Sequence, residues 1–298
     1  MHFEGLRARR CEHEEFFSKK ISVLQNATFI FCVILNSMKI ISWNTNGLRA
    51  TAKQGFFTPL LEKYQPDILC LQETKATPDQ LPEEVRNVPG YFLYFSYPKE
   101  KKGYSGVAIY TKIKPDKVEY GIGVKKLDTE GRIIVAHFKN FMNLKNLVLI
   151  NGYFPNGGQG PYRLKYKLEF YDAFLKFILK LRKNGEKVIF CGDVNTAHEA
   201  IDLARPKENE ENTGFLPIER AWISKVIKNN FIDVWRNLNP DKKDIYTYWD
   251  QKTRARDRNV GWRIDYFFAD QKVISKIKNT GMLGNYYGSD HCPIYLEI

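Results

Sequence analysis

The sequence predicts an α/β chain of the α+β kind, with two packed mixed β-sheets flanked by helices in one domain. Three observations carry that expectation. Short apolar runs bounded by turn residues recur from Met38 to the C-terminus, helical periodicities separate only some of them, and no internal repeat or low-complexity linker divides the chain. Consecutive strands argue for antiparallel neighbours and strands parted by a helix for parallel crossovers, so the mixture argues for mixed sheets. With 298 residues, 43% of them apolar and 14% aromatic, the chain can bury a sizeable core.

Residues 1–37 read as an N-terminal extension, expected to be disordered or not native, with the natural start at Met38 and a targeting or anchoring segment as the alternative. The apolar run "ISVLQNATFIFCVIL" is shorter than the roughly 18–20 residues that cross a bilayer. Glu4, Glu12, Glu14 and Glu15 argue against a signal peptide or a mitochondrial presequence. One domain is expected over 38–298. Its strands are expected at Lys39–Trp43, Asp67–Gln72, Tyr91–Phe95, Gly106–Thr111, Arg132–Phe138, Leu147–Tyr153, Lys187–Cys191, Tyr246–Trp249, Arg263–Ala269 and Pro293–Glu297. The spacing of Leu164, Leu168, Tyr171, Leu175, Ile178 and Arg182 predicts a helix over 162–183, with lysines on its other face and Gly185 just past its end. A second helix is expected over 217–229, opened by Pro217.

The formal net charge of +12 points to an anionic partner: nucleic acid, a membrane surface or a phosphorylated small molecule. Cys11, Cys32, Cys70, Cys191 and Cys292 are scattered, without zinc spacing, and read as reduced core thiols of a cytosolic protein.

Polar residues recur at the strand tips. Asn44 and Asn46 follow one run and Glu73 another; Tyr153 and Asn156, then Asp193, Asn195 and His198, follow two more; Asp290 and His291 sit near the C-terminus. A single such tip is an ordinary turn, but the recurrence points to a site. Asp265 lies in an apolar strand, where an unpaired carboxylate is costly, so a partner is expected. Carboxylates with neutral amides and no thiolate cluster favour a hard cation, Mg²⁺ or Mn²⁺, over zinc. Such a site fits phosphodiester hydrolysis.

The motifs "SWNTNGLRA", "LQETK", "GYSGVA", "NGYFPN", "CGDVNTAHEAID", "NVGWRIDYF" and "GSDHCPI" occur in that order across residues 38–298. In this the sequence resembles the exonuclease III family of DNA-repair apurinic/apyrimidinic endonucleases. The resemblance implies a four-layer α/β/β/α sandwich with its active site at one edge of the two sheets. It implies Mg²⁺-dependent incision of duplex DNA 5′ to an abasic site, Mn²⁺ substituting, with 3′→5′ exonuclease and 3′-repair activities that vary among members. Glu73 would be the principal metal ligand, with Asn44 and Asn46 close by. Asp193 would activate or orient water, Asn195 would help position it, Tyr153 would meet the scissile phosphate, and His291 would meet a phosphate oxygen. Asp290 would line a second, weaker metal position; the implied metal set is thus Asn44, Glu73, Asp193, Asn195, Asp290 and His291. Arg49, Lys75, Tyr104, Arg132, Asn156, Asn209 and Asn212 would meet DNA, and Tyr248, Trp262 and Ile264 would form the pocket for an extruded abasic sugar.

The resemblance also assigns Asp265 to the far nitrogen of His291. Alternation agrees, since adjacent side chains of an extended segment point apart and Asp290 is poorly placed to grip its neighbour's ring. Gln159 and Lys252 stand where animal-type members carry an arginine and a methionine that insert into the duplex, and Arg205 replaces an asparagine. Damage preference and exonuclease strength are expected to differ accordingly. An alternative keeps the fold and metal-dependent hydrolysis but changes the substrate to a phosphoinositide, sphingomyelin or unspecific DNA; such relatives would lack the "NVGWRIDY" strand. A non-catalytic DNA-binding module would not need Glu73, Asp193, Asp265 and His291 together. The chain is expected to act as a monomer, off the membrane, with the chromosome in the cytoplasm or in a eukaryotic nucleus or organelle.

Overall fold

The computed structural model describes residues 37–298, and the expectations for residues 1–36 lie outside the described residues. In chain order, β1 (Lys39–Asn44) leads through α1 (Leu48–Lys53) and α2 (Phe57–Tyr64) to β2 (Ile68–Gln72), followed by β3 (Phe92–Ser96), β4 (Val107–Thr111) and β5 (Lys117–Tyr120). The chain continues with β6 (Ile133–Phe141), β7 (Leu144–Tyr153), α3 (Pro161–Lys183), β8 (Lys187–Asp193) and α4 (Pro217–Lys228). The last third holds β9 (Phe231–Asp233), β10 (Asp265–Asp270), β11 (Asn279–Met282) and β12 (Ile294–Glu297).

Among the described residues these strands form two six-stranded sheets, ordered β11-β12-β1-β2-β4-β3 and β5-β6-β7-β8-β10-β9. Each is antiparallel except for a central parallel pair, β1–β2 in the first and β7–β8 in the second. A parallel pair needs a crossover, which α1 and α2 supply in one sheet and α3 in the other. The sandwich has four layers. Leu48, Phe57 and Leu60 pack on Ile41, Trp43 and Leu71 of the first sheet. Phe170, Phe174 and Ile223 pack on Ile150, Val188 and Phe190 of the second. The alternate residues, including Ile40, Cys70 and Ile109 opposite Leu149, Ile189 and Cys191, are wholly buried, so the central strands have two apolar faces. Polar groups also join the sheets: Asn151 Nδ2 donates to Ala108 O (2.8 Å) and Leu71 O (3.0 Å), and Gln72 Nε2 donates to Asn151 Oδ1 (2.7 Å). Cys70, Cys191 and Cys292 are free and buried, as the core-thiol reading expects. No helix among the described residues is long and apolar enough to cross a membrane.

Tertiary context changed several expected elements. Residues 246–249 are not a strand; Tyr248 makes only isolated bridges, to Trp262 and His291, because the segment lies beyond the sheet's end. Strand β10 begins at Asp265 rather than Arg263, since Arg263 N goes to Asp202 O and Ile264 N to the Thr247 hydroxyl. Strands β5, β9 and β11 escaped the pattern because they are short. So did α1 and α2, at 6 and 8 residues, too short to show a full apolar stripe. The inward face of α3 is Lys167, Phe170, Tyr171, Phe174, Leu175, Ile178 and Leu181, rotated from the face that Leu164 and Leu168 suggest. Lys167, expected on the solvent face, is buried.

Strand direction brings the tips to one edge. Asn44 pairs with Gln72, next to Glu73; Tyr153 pairs with Asp193; and Asp193 pairs across the antiparallel partner with Asp265. Gly192 is required just before Asp193. Its φ is +130°, and a Cβ there would lie 1.9 Å from Gly152 O.

Behind this edge Arg263 is wholly buried between two acids. Its Nε donates to Asp202 Oδ1 (2.8 Å) and its Nη2 to Asp233 Oδ2 (2.7 Å), while Arg236 Nη2 also reaches Asp202 Oδ1 (2.6 Å). Burial opposes ionisation of Asp202, but Arg263 first and Arg236 after it hold the carboxyl at about 2, below its ordinary 3.8. The folded pKa is thus the lower one, so the stabilisation is complete above pH ~3.8 and disappears as pH falls through ~2. Asp202→Asn is expected to cost roughly 3 kcal/mol at neutral pH and to flatten the acid limb of the stability curve. Urea unfolding from pH 7 to pH 2 checks this; an unchanged slope below pH 4 counts against it.

Candidate active site

The site begins with an amide. Asn44, fully buried at the end of β1, donates through Nδ2 to Glu73 Oε2 (3.1 Å) and to Asp193 Oδ2 (2.8 Å). Its Oδ1 accepts from Asn46 N (2.9 Å). One side chain therefore braces a carboxylate from each sheet. Asn46, Glu73 and Asn195 all have positive φ, the sharp exits that turn the strand tips toward a common cleft. Asn46 Nδ2 donates to Asp290 Oδ2 (2.9 Å), and Lys75 Nζ pairs with Glu73 Oε1 (2.9 Å) while donating to Asn46 Oδ1.

Asp193 sits under several donors. Asn195 N reaches its Oδ1 (2.7 Å), and Asn195 Nδ2 reaches its Oδ2 (3.2 Å). Burial pushes its carboxyl up to about 7 against the pull of His291, with Asp265 adding to the rise. His291 Nδ1 lies 2.8 Å from Asp265 Oδ2, and Nε2 lies 3.9 Å from Asp193 Oδ2. Burial disfavours the charged ring, but the Asp265 carboxylate overrides it and lifts His291 to about 10. Asp290 does not hold the ring; its oxygens accept from Asn46 and from Ser289 Oγ (3.1 Å). Burial, followed by the charge of Glu73, raises the Tyr153 phenol well above its ordinary range and keeps it protonated. The cleft therefore offers a near-neutral base, an imidazolium, a phenol and amide donors.

These groups line a cavity of about 620 Å³. One wall is basic: Arg132 is buried, with Nη1 on Tyr153 O (3.0 Å) and its guanidinium over the Tyr153 ring, and it shares Glu130 and the Tyr104 hydroxyl with Arg163. The opposite wall is Tyr248, Trp262 and Ile264, backed by Leu203 and Phe215, with the Tyr248 ring 4.9 Å from the His291 ring. Asn156, which donates to Asn195 Oδ1 (3.0 Å), closes the rim with Gln159.

Of the residues expected from sequence, Glu73, Tyr104, Arg132, Tyr153, Asn156, Asp193, Asn195, Tyr248, Trp262, Ile264, Asp290 and His291 line one cleft. Asn44, Lys75 and Asp265 support it through the contacts above. Arg49, Asn209 and Asn212 lie outside its lining: Arg49 is exposed on α1, and Asn212 Nδ2 donates to Asn209 Oδ1 (2.9 Å). Exposed Lys252 and Arg205 are also outside it. His198 turns away to Ser224 Oγ (2.8 Å). The sequence reading missed Arg163 and Glu130; an arginine just after the glycine-rich stretch that opens α3 was the available signal for the first.

Asp193, Asp265 and His291 could each bring a ligand atom within 4.8 Å of the others. Asp265 already engages Nδ1 of the ring at 2.8 Å, so this trio reads first as an ion-paired set. Glu73 and Asp290, which flank Asn46, and Asp193 provide the oxygen donors that a hard divalent cation takes. The Lys75 ammonium lies between Glu73 and Asn46, so this corner gathers oxygen acceptors toward a positive charge.

Acids, amides and an imidazolium at the joined edges of a two-sheet sandwich define an enzyme that hydrolyses phosphate esters. The chain belongs to the endonuclease/exonuclease/phosphatase family, whose profile matches residues 41–291. It is 40% identical over 261 residues to the exodeoxyribonuclease of Bacillus subtilis (strain 168), covering 88% of this chain and 99% of that one. It is 41% identical over 268 residues to the DNA repair nuclease APEX1 of Danio rerio, covering 88% and 82%. The crystal structure of an AP endonuclease from Leishmania major superimposes with a TM-score of 0.80 at 28% identity, covering 88% of each chain.

Asp265→Asn removes the charge that holds the His291 proton. The His291 pKa is expected to fall from about 10 toward its ordinary 6.5. Imidazole NMR resonances followed from pH 5 to pH 11 in metal-free protein measure it; a variant ring still protonated at pH 9 rules the assignment out.

Proposed function

We propose that this DNA repair nuclease cuts the phosphodiester bond 5′ to abasic sites in duplex DNA, with Mg²⁺ as its metal. The observation that carries the reading is the sharing of one cleft by the Asp193–His291 centre and the apolar Tyr248–Trp262–Ile264 wall. Such a wall suits a sugar without its base, and extrusion costs less where no base is stacked. The net charge of +12 favours sequence-independent, salt-sensitive contact with the phosphate backbone.

The residues take the following roles. Glu73 and Asp290 would hold the metal, with Asn44 bracing Glu73 from behind. A divalent cation bound there would neutralise charge on the phosphate. Asp193, poised near neutrality, takes the proton of the attacking water, and Asn195 positions that water. His291, kept cationic by Asp265, and the protonated Tyr153 stabilise the negative charge that develops on the phosphoryl oxygens. Lys75, Tyr104 and Arg132 line the path of the DNA strand. The same centre serves 3′-blocked ends when a strand terminus replaces the internal abasic site.

A duplex carrying one tetrahydrofuran site tests the proposal. Incision on the 5′ side is expected with Mg²⁺ and none with chelator; no incision with Mg²⁺ across several ionic strengths refutes it. Asp193→Asn is expected to lower kcat roughly 10²- to 10⁴-fold, the range for a lost general base. Replacing Tyr248 and Trp262 together by Ala should reduce the preference for abasic over undamaged duplex while leaving hydrolysis of undamaged 3′ ends. An equal loss on both substrates argues against the pocket.

A further inference from the structure

Beneath the cleft, and outside its lining, α3 and α4 bring a lysine and a glutamate together with neither exposed. Lys167 Nζ donates to Asn195 O (2.7 Å), Thr196 Oγ1 (2.9 Å) and Glu219 Oε1 (2.6 Å), so each of its three N–H groups is used. Glu219 Oε1 also accepts from Thr213 Oγ1 (2.8 Å), and Oε2 accepts from Gly214 N (2.6 Å) and Leu216 N (3.1 Å). A buried ion pair is a weak source of stability, since an apolar pair of similar volume often does as well. What distinguishes this one is where its hydrogen bonds go. Those of Lys167 end on the loop that carries Asn195, whose φ is +56° and whose amide groups grip Asp193. Those of Glu219 end on the loop that carries Gly214.

Gly214 is the wedge between the two halves of the cleft. Its φ is +96°, and a Cβ there would lie 3.3 Å from the Trp262 ring and 3.5 Å from Asn195 O. Its carbonyl accepts from Ala197 N (2.8 Å), and Tyr171 OH, at 2.8 Å from both Val194 O and Thr196 Oγ1, completes the platform. A shift at either end of the ion pair thus reaches both Asp193 and Trp262.

We propose that Lys167 and Glu219 are a positioning pair that locks the catalytic loop to the pocket wall, so that seating of the substrate sugar and alignment at Asp193 are set together. The inference rests on the functional reading above for the identity of the pocket's ligand. It makes the pair a determinant of damage discrimination, although neither residue touches substrate.

The test uses the full chain with Lys167→Met and Glu219→Gln combined, which removes both charges at once, and separately Thr196→Val, which removes an acceptor of Lys167 and leaves the charges in place. The first readout is the ratio of incision at a tetrahydrofuran site to hydrolysis of an undamaged 3′ end, which does not depend on the fraction of folded enzyme. The second is the Trp262 indole NMR peak in metal-free protein, assigned by Trp262→Phe. The combined variant is expected to unfold cooperatively, to lose roughly 10- to 100-fold in the ratio, as small misplacements of reacting groups do, and to shift the Trp262 peak. Thr196→Val is expected to change both in the same direction by less. A folded combined variant with a ratio within about twofold of wild type and an unmoved Trp262 peak overturns the proposal; should that variant not fold, the same result for Thr196→Val overturns it. If the wild type itself does not incise the abasic duplex, the functional reading falls, and the Trp262 peak alone decides whether the pair sets the pocket wall.

Discussion

The hydrogen bonds of the Asn44 side chain are the constraint on which the site depends. Through Nδ2 they tie Glu73, beyond the end of a strand in one sheet, to Asp193, at the end of a strand in the other. Two carboxylates brought this close repel each other in a buried setting unless donors lie between them. The amide supplies those donors without adding charge, and its burial keeps water from competing. The sandwich is what makes this possible, because the parallel pairs β1–β2 and β7–β8 end at the same edge.

Around that junction, charge is managed by enclosure and pairing. Arg263 lies between Asp202 and Asp233, Lys167 meets Glu219, and His291 meets Asp265, each nearly or wholly buried. Left alone, any of these charges would be neutralised or would destabilise the fold. Paired, they stiffen the loops that leave the sheets. Strand alternation contributes as well: Trp262 and Ile264 face the cleft while Arg263, between them, points back into its acid clamp.

Much of this was legible in the chain. The apolar runs at 39–43, 67–72, 147–153 and 187–191 read as strands of a well-buried sheet, because they are short, both faces are apolar and turn residues bound them. Asp265 announced a partner because a carboxylate among Ile264, Tyr266 and Phe267 cannot remain unpaired. The segment 246–249 misled for a related reason: its aromatics do become buried, but against the pocket and the C-terminal turn rather than in a ladder. Lys167 misled because periodicity treats every lysine as a solvent residue, whereas its ammonium is satisfied by groups 28 to 52 positions away in sequence.

By itself the sequence determined most of the central strands, the long helix, the class of chemistry at the strand tips and, through its ordered motifs, the family. Those properties follow from local pattern: apolar period, turn residues and the donor types available. Only the tertiary structure decided that Asn44 joins the two sheets, that Arg263 is clamped between Asp202 and Asp233, and that Lys167 and Glu219 sit under the cleft. Each of these depends on distances between residues far apart in the chain, and on burial that makes a charge seek the one partner within reach.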